Sequence, residues 1–335
     1  MERSISFNLK GYDPFLDFIK AYAIICVLIG HTFPFLDYLG YGLWAGMQVP
    51  LFVLIQVFHN FKKETISFNF SKLFWRVFCP FFLVQVLIYA CMYVISQKDA
   101  LSLLYEMAID GGFGPGAYFP WVYLQIALIL CCLFKVINKY GKIVNLIVAL
   151  IVCEGFELLF SCIDLPDGIY RLLSVRYFFL IYLGWIWVKD GIVINWKSIT
   201  LSFLSLLSII YFEYFSTNEE PLFFCTGWKF HRWPCYYYVA IFGVYLLHIV
   251  YQTIIDNELI KKWIHYLATC SYEIFLVQMA VCTLFPSLSF IPSFIVRIGV
   301  RIIVIFLISI IGGIMFNKVY NRLLLLLNNG IQKNN

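Results

Sequence analysis

The sequence contains few charged residues. Asp, Glu, Lys and Arg make up only 13% of its 335 residues, whereas hydrophobic residues make up 62% and the mean hydropathy is +0.85. Soluble globular domains carry roughly 25% charged residues. The shortage of charge therefore excludes an ordinary soluble domain and indicates an integral membrane protein.

Features of several other protein classes are also missing. The first 13 residues, MERSISFNLKGYD, are polar and the apolar run after them is too long for a signal peptide, so we expect the first span to stay in the mature protein. Most of the eleven cysteines lie inside apolar runs, which favours free thiols over a disulfide framework. No spacing typical of a metal site is present, so we expect no metal and no bound cofactor. A net charge of +5 on so little soluble surface gives no indication of nucleic-acid binding.

Long apolar runs predict an all-α fold. Runs of about 20 residues, each bounded by polar or Gly/Pro stretches, indicate about ten transmembrane helices. They lie at residues 14–34, 41–59, 73–96, 118–137, 143–161, 173–189, 197–215, 235–255, 263–285 and 294–316. The longest loops, 97–117 and 216–234, leave no room for a soluble domain. We therefore expect residues 1–335 to form a single transmembrane domain.

The basic residues predict the orientation of these spans. Lysines and arginines concentrate at the N-terminus and in every second connection, as at Lys62, Lys63 and Lys139. The opposite loops carry mainly acidic residues: Asp37, Asp99, Asp110, Asp164, Asp167, Glu219 and Glu220. By the positive-inside rule both termini are cytoplasmic, in a multi-pass protein of the inner membrane. Two cytoplasmic termini require an even number of spans, which agrees with ten.

The first predicted span, DFIKAYAIICVLIGH (residues 17–31), carries three polar side chains. Lys20 and His31 are eleven residues apart, which places them about 20° apart around a helix and roughly 16 Å apart along it. Asp17 lies one turn before Lys20 on the same face, close enough to pair with it. The sequence therefore predicts one polar stripe across the membrane. A simpler interpretation is that Lys20 snorkels to the interface with Asp17 and that His31 caps the helix.

Polar side chains recur in other predicted spans: Arg76, Gln125, Glu154, Glu157, Arg176 and Gln278. Polar groups within a membrane normally face a bundle interior or a wet cavity. We therefore expect the helices to surround a polar central cavity. A pairing of Glu154 or Glu157 with Arg176 is a structural explanation for three of them.

The first-span motif resembles the signature of the acyltransferase-3 family of integral membrane acyltransferases. That signature is an acidic residue, two spacers, an arginine, ten residues and a histidine, and Asp17, Lys20 and His31 match it by position. Lysine replaces the family's arginine, which keeps the charge but loses the planar fork. Further segments resemble family motifs in family order: SKLFWRVFCPFFL (71–83), FPWVYLQIALIL (119–130), RYFFLIYLGW (176–185), KFHRWPCYYYVAIFG (229–243) and SYEIFLVQM (271–279). In the last of these, Gln278 stands where many relatives have histidine.

The resemblance implies an acyltransferase that moves an acyl group, commonly acetyl, from cytoplasmic acyl-CoA to a hydroxyl of an envelope glycan or lipid-linked sugar. Acyl-CoA, that acceptor and membrane lipid are the expected partners. Histidine is well suited to accept a proton at neutral pH, so His31 is the candidate general base. Lys20 and Arg76 are candidate donor-binding residues, with Asp17 orienting Lys20. The acceptor side or cavity is expected to be lined by Trp121, Tyr123, Gln125, Glu154, Arg176 and Gln278, although an aromatic interface belt explains Trp121 and Tyr123 almost as well.

Two other classes remain open on the residues alone. In a secondary transporter or flippase, the polar stripe would be an ion or proton pathway. A polysaccharide polymerase would also have many spans, but it would require a large outer loop rich in Arg and His. The longest outer loops hold few such residues, so the polymerase ranks last.

Topology is the first testable prediction. Reporters that are active only outside the cytoplasm should be active after Asp37, Asp110 and Glu219, and inactive after Lys63 and Lys139, because of the lysine asymmetry. Reporter activity of membrane fusions measures this directly. An inactive fusion at Glu219 would mean that the number of spans is wrong.

Overall fold

The computed structural model describes residues 3–33, 47–63, 65–66, 68–96, 99–163, 165–211, 233–285 and 293–333. The predicted topology markers Asp37 and Glu219 lie outside these ranges. The described chain is almost entirely helical. Its elements in chain order are β1 (Arg3–Ile5), α1 (Pro14–Thr32), α2 (Gln48–Phe61), α3 (Phe70–Leu73, a π-helical turn Phe74–Phe78, then Cys79–Ser96), α4 (Ala100–Asp110), α5 (Phe119–Lys139), α6 (Lys142–Cys162), α7 (Asp167–Arg171), a 3-10 turn (Val175–Tyr177), α8 (Phe178–Asp190), β2 (Ile192–Ile194), α9 (Trp196–Ile210), α10 (3-10 turn Trp233–Cys235, Tyr236–Tyr238, π-helical turn Val239–Gly243, then Val244–Ile254), α11 (Glu258–Thr269), α12 (Ser271–Leu284) and α13 (Phe294–Lys333).

The fold is that of an all-α polytopic membrane protein, as predicted. Each of the ten predicted stretches contains helix in its described part. By length and apolar composition, six helical stretches can cross a membrane: Pro14–Thr32, Phe70–Ile95, Phe119–Lys139, Lys142–Phe160, Trp233–Ile254 and Val296–Leu326. A seventh candidate is the pair α11–α12, which is bent by 65°. The exact count of ten stays a prediction, since α2, α8 and α9 are shorter than a full span.

Helix α1 lies at the centre of the described bundle. In its most apolar window 67% of the residues are buried, against 17–44% in the other five candidate spans. Ile19 and Ala23 belong to one hydrophobic cluster, with α2, α8 and α10, whereas Ile24 and Leu28 belong to a second, with α3 and α12. The helix that carries the polar stripe is therefore the most enclosed one, and its polar side chains lie inside protein rather than against lipid.

Local sequence fixes where α1 begins. Pro14 occupies the first helical turn, where its missing N–H costs nothing, and the Asp13 side chain accepts a hydrogen bond from the backbone N–H of Phe15 at 3.0 Å. Asp13 also accepts from the backbone N–H of Asn8 at 2.9 Å. The cap therefore joins the start of α1 to the segment before it.

The N-terminal segment, residues 3–13, is attached to one end of the bundle. The predicted topology makes this the cytoplasmic end. Its strand β1 pairs antiparallel with β2, in the register Arg3 with Ile194 and Ile5 with Ile192. The ring of Phe7 lies 5.0 Å from that of Trp187 and 5.1 Å from that of Phe58. These contacts hold the N-terminal segment across the ends of α1, α2 and α8.

Helices α11 and α12 both pack against α1, but at different levels. The chain bends at Cys270, so α11 contacts the beginning of α1 and α12 contacts its later turns. Helix α13 lies tightly along α12, since a Cβ added at Gly313 would come within 2.5 Å of the Cα of Ile274. Helix α12 is therefore enclosed between α1 and α13, whereas much of α11 is exposed.

The role of Gly191 in holding the N-terminal segment can be tested. Its φ of 70° and ψ of −156° lie in a region that is essentially restricted to glycine, and a Cβ would come within 2.3 Å of the Ile5 carbonyl oxygen. Gly191→Ala should lower stability by about 1–3 kcal/mol and expose the N-terminal segment. Thermal unfolding in detergent and limited proteolysis of that segment measure both effects.

Gly155 in α6 provides the matched control, because a Cβ there meets open space. Gly155→Ala should be neutral or slightly stabilising, since alanine is the better helix former. Identical unfolding and cleavage of both variants would show that the β1–β2 contact does not hold the segment.

Candidate functional site

Asp17 is the centre of a polar cluster at the beginning of α1. Its Oδ2 accepts a hydrogen bond from the hydroxyl of Tyr12 at 2.6 Å and lies 2.7 Å from Nδ1 of His265. Its Oδ1 lies 3.7 Å from Nζ of Lys20. Asp17 itself is buried, at 8% exposure. The carboxylate is thus surrounded by three groups, one each from the N-terminal segment, α1 and α11.

A pocket opens beside this cluster, with a volume of about 230 Å³. Its basic side chains are Lys20, Lys62, His59 and His265, and its acidic ones are Asp13 and Asp17. Both carboxylates are engaged, Asp13 by the helix cap and Asp17 by the cluster. The two lysines are therefore the groups with charge to offer a ligand, and the pocket is suited to an anion.

The wall of the pocket includes the N-terminal segment. Gly11 and Tyr12 line it, and Lys62 Nζ lies 3.5 Å from the carbonyl oxygen of Gly11. Burial, and then the hydrogen bond to Asp17, raise the pKa of the Tyr12 hydroxyl well above its ordinary value. Tyr12 therefore remains a neutral donor to Asp17 across the physiological pH range.

His31 lies near the other end of α1 and contacts α12. Its Nδ1 is 2.9 Å from Nε2 of Gln278, which is completely buried and also donates to Sγ of Cys282 at 3.2 Å. Among the residues that the structure describes, the Gln278 Oε1 is buried without a hydrogen-bond partner. The structure therefore brings together His31 and Gln278, two of the residues that the sequence singled out, and it holds the imidazole by Nδ1.

The contacts at the two ends of α1 have matching spacing. Asp17 and His31 are 14 residues apart, and their partners His265 and Gln278 are 13 residues apart on α11 and α12. The face of α1 that carries Asp17 and His31, its polar face, therefore contacts the bent pair at both ends, with buried Ile24 and Leu28 between the two contacts. At about 1.5 Å per residue, the two contacts are separated by roughly 20 Å.

Arg76 does not join the pocket with Lys20. It lies in the π-helical turn of α3, exposed, at the predicted cytoplasmic end. Glu273 and Tyr123 are within electrostatic range of its guanidinium. Arg76 is therefore not among the residues that line the pocket.

Trp121 and Gln125 brace the backbone. The Trp121 Nε1 donates to the Gly111 carbonyl oxygen at 2.7 Å. The Gln125 amide donates to the Leu172 carbonyl oxygen at 2.6 Å and accepts from the Ser174 backbone N–H at 3.0 Å. Tyr123, between them, is partly buried, with its ring 6.4 Å from that of Phe119. The polar ends of Trp121 and Gln125 are thus occupied by main-chain groups.

Glu154 and Arg176 belong to a separate cluster of aromatic side chains. The Glu154 Oε2 accepts from Nε1 of Trp233 at 3.0 Å, and Glu157 accepts from the hydroxyl of Tyr170. The guanidinium of Arg176 lies over the ring of that tyrosine at 5.6 Å, and over two others, Tyr118 and Tyr177, at 5.2 and 4.7 Å. Tyr170 therefore links the carboxylate of α6 to the arginine before α8.

The predicted pair of Asp17 and Lys20 is confirmed, but sequence reasoning missed the other two partners of Asp17, Tyr12 and His265. It gave His265 no role because the residue lies at the start of a predicted span, and it counted Lys62 only as a topology signal. Tyr12 lies in the polar N-terminal segment and carried no pattern at all. The only signal in the sequence was that Lys62 and the polar start of the first span are both predicted at the cytoplasmic side. The contact of Asp17 with His265 joins residues 248 positions apart, so no local pattern could have indicated it. In the part of the chain that the structure describes, no group of three or more His, Cys, Asp or Glu side chains could hold a metal ion.

Comparison with known proteins identifies the family. The family model described as an acyltransferase domain matches residues 13–317, nearly the whole chain. No curated protein and no solved structure matches the chain. The matched range includes both ends of the polar face of α1, and it confirms the resemblance carried by the first-span motif. The protein that bears this polar, enclosed first helix belongs to the acyltransferase-3 family of membrane acyltransferases.

Proposed function

We propose that this acyltransferase is an O-acetyltransferase that takes its acyl group from cytoplasmic acetyl-CoA. The acceptor is a hydroxyl group of an envelope glycan or of a lipid-linked sugar. The observation that best supports this proposal is that one enclosed helix, α1, presents Lys20 in a basic pocket at one end and His31 at the other. That arrangement separates binding of the donor from the chemistry by the thickness of much of the membrane.

The pocket at Lys20 is suited to the phosphate groups of the donor. Lys20 and Lys62 offer two ammonium groups, and phosphate oxygens accept charge-assisted hydrogen bonds from such donors. Ligand pockets for drug-sized molecules are about 300–1,000 Å³, so a cavity of about 230 Å³ would hold only part of CoA. The remainder, including the thioester, would extend along the polar face of α1. Arg76, which does not line this pocket, remains a candidate contact for another part of the donor.

His31 would act as general base. The acceptor hydroxyl oxygen attacks the thioester carbonyl carbon while the imidazole takes the hydroxyl proton. The tetrahedral intermediate then collapses, the C–S bond breaks, and the imidazolium returns the proton to the departing CoA thiolate. Histidine performs both steps because it gains and loses a proton near neutral pH.

Gln278 would set which nitrogen of His31 takes the proton. A half-turn of its amide presents Oε1, which has no other partner, to an Nδ1–H of the ring. That tautomer leaves the Nε2 lone pair free for the acceptor. Glutamine carries no charge, so it orients the ring without stabilising an imidazolium as strongly as a carboxylate would.

The acceptor would approach from the His31 end, which the lysine distribution places at the outer face of the inner membrane, with both termini cytoplasmic. Tyr123, Trp121 and Gln125 lie on α5, and the cluster of Glu154 and Arg176 lies on the same predicted outer half. Aromatic rings beside carboxylate and guanidinium groups are suited to sugars. These residues would line the route of the acceptor rather than take part in proton transfer.

Loss of His31 tests the mechanism. General-base catalysis typically contributes about 10²–10⁴-fold, so His31→Ala should reduce acetylation of the acceptor by that factor. His31→Gln, which keeps hydrogen bonding but cannot take the proton, should be nearly as inactive. The measurement is acetyl transfer in membranes, with expression and CoA binding checked in parallel. Near-normal transfer by well-expressed His31→Ala protein would remove the histidine from the mechanism.

Lys20 tests the donor site. If it binds phosphate by charge, Lys20→Ala should raise the KM for acetyl-CoA roughly tenfold or more, with a smaller change for the acceptor. Lys20→Arg should keep substantial activity because it keeps the charge. Steady-state kinetics with each substrate varied separately measures the difference. Wild-type kinetics for Lys20→Ala would reduce the lysine to an interfacial anchor.

A measurement on the purified protein distinguishes an acetyltransferase from a transporter. A purified acetyltransferase should hydrolyse acetyl-CoA slowly or exchange its acetyl group, because the thioester reaches the general base even without an acceptor. A flippase has no reason to do either. Membership of the acyltransferase family favours the enzyme.

A further inference from the structure

We infer that His265 is a donor-binding residue whose imidazole bridges Asp17 and a phosphate group of the acyl donor. This inference rests on the proposed function for the identity of the donor. It gives the pocket a third group that contacts the phosphate, from α11, in addition to the two lysines of α1 and α2. Neither the first-span motif nor the matched family description assigns a role to this residue.

The ring of His265 is held in a fixed position. Its Nδ1 lies 2.7 Å from Asp17 Oδ2 and 3.0 Å from the Tyr12 hydroxyl oxygen. Its ring meets the Tyr12 ring edge-on, with centroids 5.8 Å apart and an interplanar angle of 83°. A side chain constrained on one nitrogen and one ring edge loses little further freedom when it binds a ligand.

The other nitrogen remains available. His265 lines the pocket, and 60% of its side chain is exposed although Nδ1 is engaged. Since the Nδ1 side of the ring contacts Asp17 and Tyr12, the open part is the Nε2 edge. An Nε2–H there can donate to a phosphate oxygen, while the Nδ1 side stays in contact with Asp17.

The same geometry explains how a pocket with a buried carboxylate can bind an anion. Tyr12 and His265 occupy Oδ2 of Asp17 at hydrogen-bond distance, whereas Lys20 lies at 3.7 Å from Oδ1, beyond that distance. Asp17 thus makes its close contacts with Tyr12 and His265 and only a longer contact with Lys20. The Lys20 ammonium is left able to turn to a ligand, with Lys62 on the neighbouring helix.

The size of the pocket identifies the part of the donor concerned. A volume of about 230 Å³ accommodates a phosphate-bearing portion, not the full acyl-CoA. His31 is separated from Lys20 by roughly 16 Å along α1, so His265 cannot contact the thioester at the same time. Its contribution should therefore appear as affinity for the phosphates and not as a change in chemistry.

The test compares two probes that differ in the phosphate-bearing part. CoA carries the nucleotide and its phosphates, whereas pantetheine carries only the thiol arm. Binding of each to the purified full-length protein in detergent would be measured by calorimetry. His265→Phe keeps an aromatic ring beside Tyr12 but removes both nitrogens. His265→Arg supplies separate N–H groups for Asp17 and for a phosphate.

A matched control is available in His248. It is a histidine of α10 that lies outside the pocket lining and meets the Phe15 ring edge-on at 5.0 Å. His248→Phe removes the same functional group from the same half of the protein. It should leave the ratio of CoA affinity to pantetheine affinity unchanged.

The expected result is that His265→Phe weakens CoA binding roughly 10-fold to 100-fold, the loss of one charge-assisted hydrogen bond, and leaves pantetheine binding unchanged. His265→Arg should keep most of the preference for CoA. Equal weakening of both probes would show that the histidine only supports the fold, and unchanged CoA binding in His265→Phe would also overturn the inference. Wild-type protein that binds no CoA would overturn it as well. Wild-type protein that binds CoA with this dependence but transfers no acyl group would support the inference and contradict the proposed function.

Discussion

The carboxylate of Asp17 is the constraint on which the pocket depends. A buried carboxylate is costly unless polar partners surround it, and in this protein two hydrogen-bonding groups and one ion-pair partner come from three separate segments. Tyr12 belongs to the N-terminal segment, Lys20 to α1 and His265 to α11. Satisfying one side chain therefore fixes three pieces of chain relative to one another. The pocket is the space that remains between them.

The two-stranded sheet has a role in this arrangement although it is far smaller than any helix. Pairing of β1 with β2, and the packing of Phe7 against Trp187, hold the N-terminal segment in place. This attachment and the Asp13 cap that follows it place Tyr12 beside Asp17. A short strand pairing, with Ile5 and Ile192 buried, thus helps to position a hydroxyl group inside the polar cluster.

The bent pair α11–α12 connects the pocket at Asp17 with His31. Because the chain bends by 65° at Cys270, α11 can contact Asp17 while α12 contacts His31. Both ends of the polar face of α1 therefore depend on one continuous stretch of chain. The close approach of α13, allowed by Gly313, encloses α12 from the other side and keeps Gln278 buried. A displacement of this pair would change both contacts together.

The sequence by itself determined the membrane class, the helical stretches, the family and the alignment of Asp17, Lys20 and His31 on one face of α1. The family follows from the resemblance of the motifs, and the others follow from composition or from the fixed rise and rotation of a helix, which are local properties. The tertiary structure alone decided the partners of that face. Asp17 contacts His265 and Tyr12 more closely than Lys20, His31 contacts Gln278, and Arg76 does not line the pocket. Even the strongest pattern could not predict these contacts, because they depend on which helix faces pack together. That choice is made by apolar packing and by a 65° bend between residues far apart in the chain.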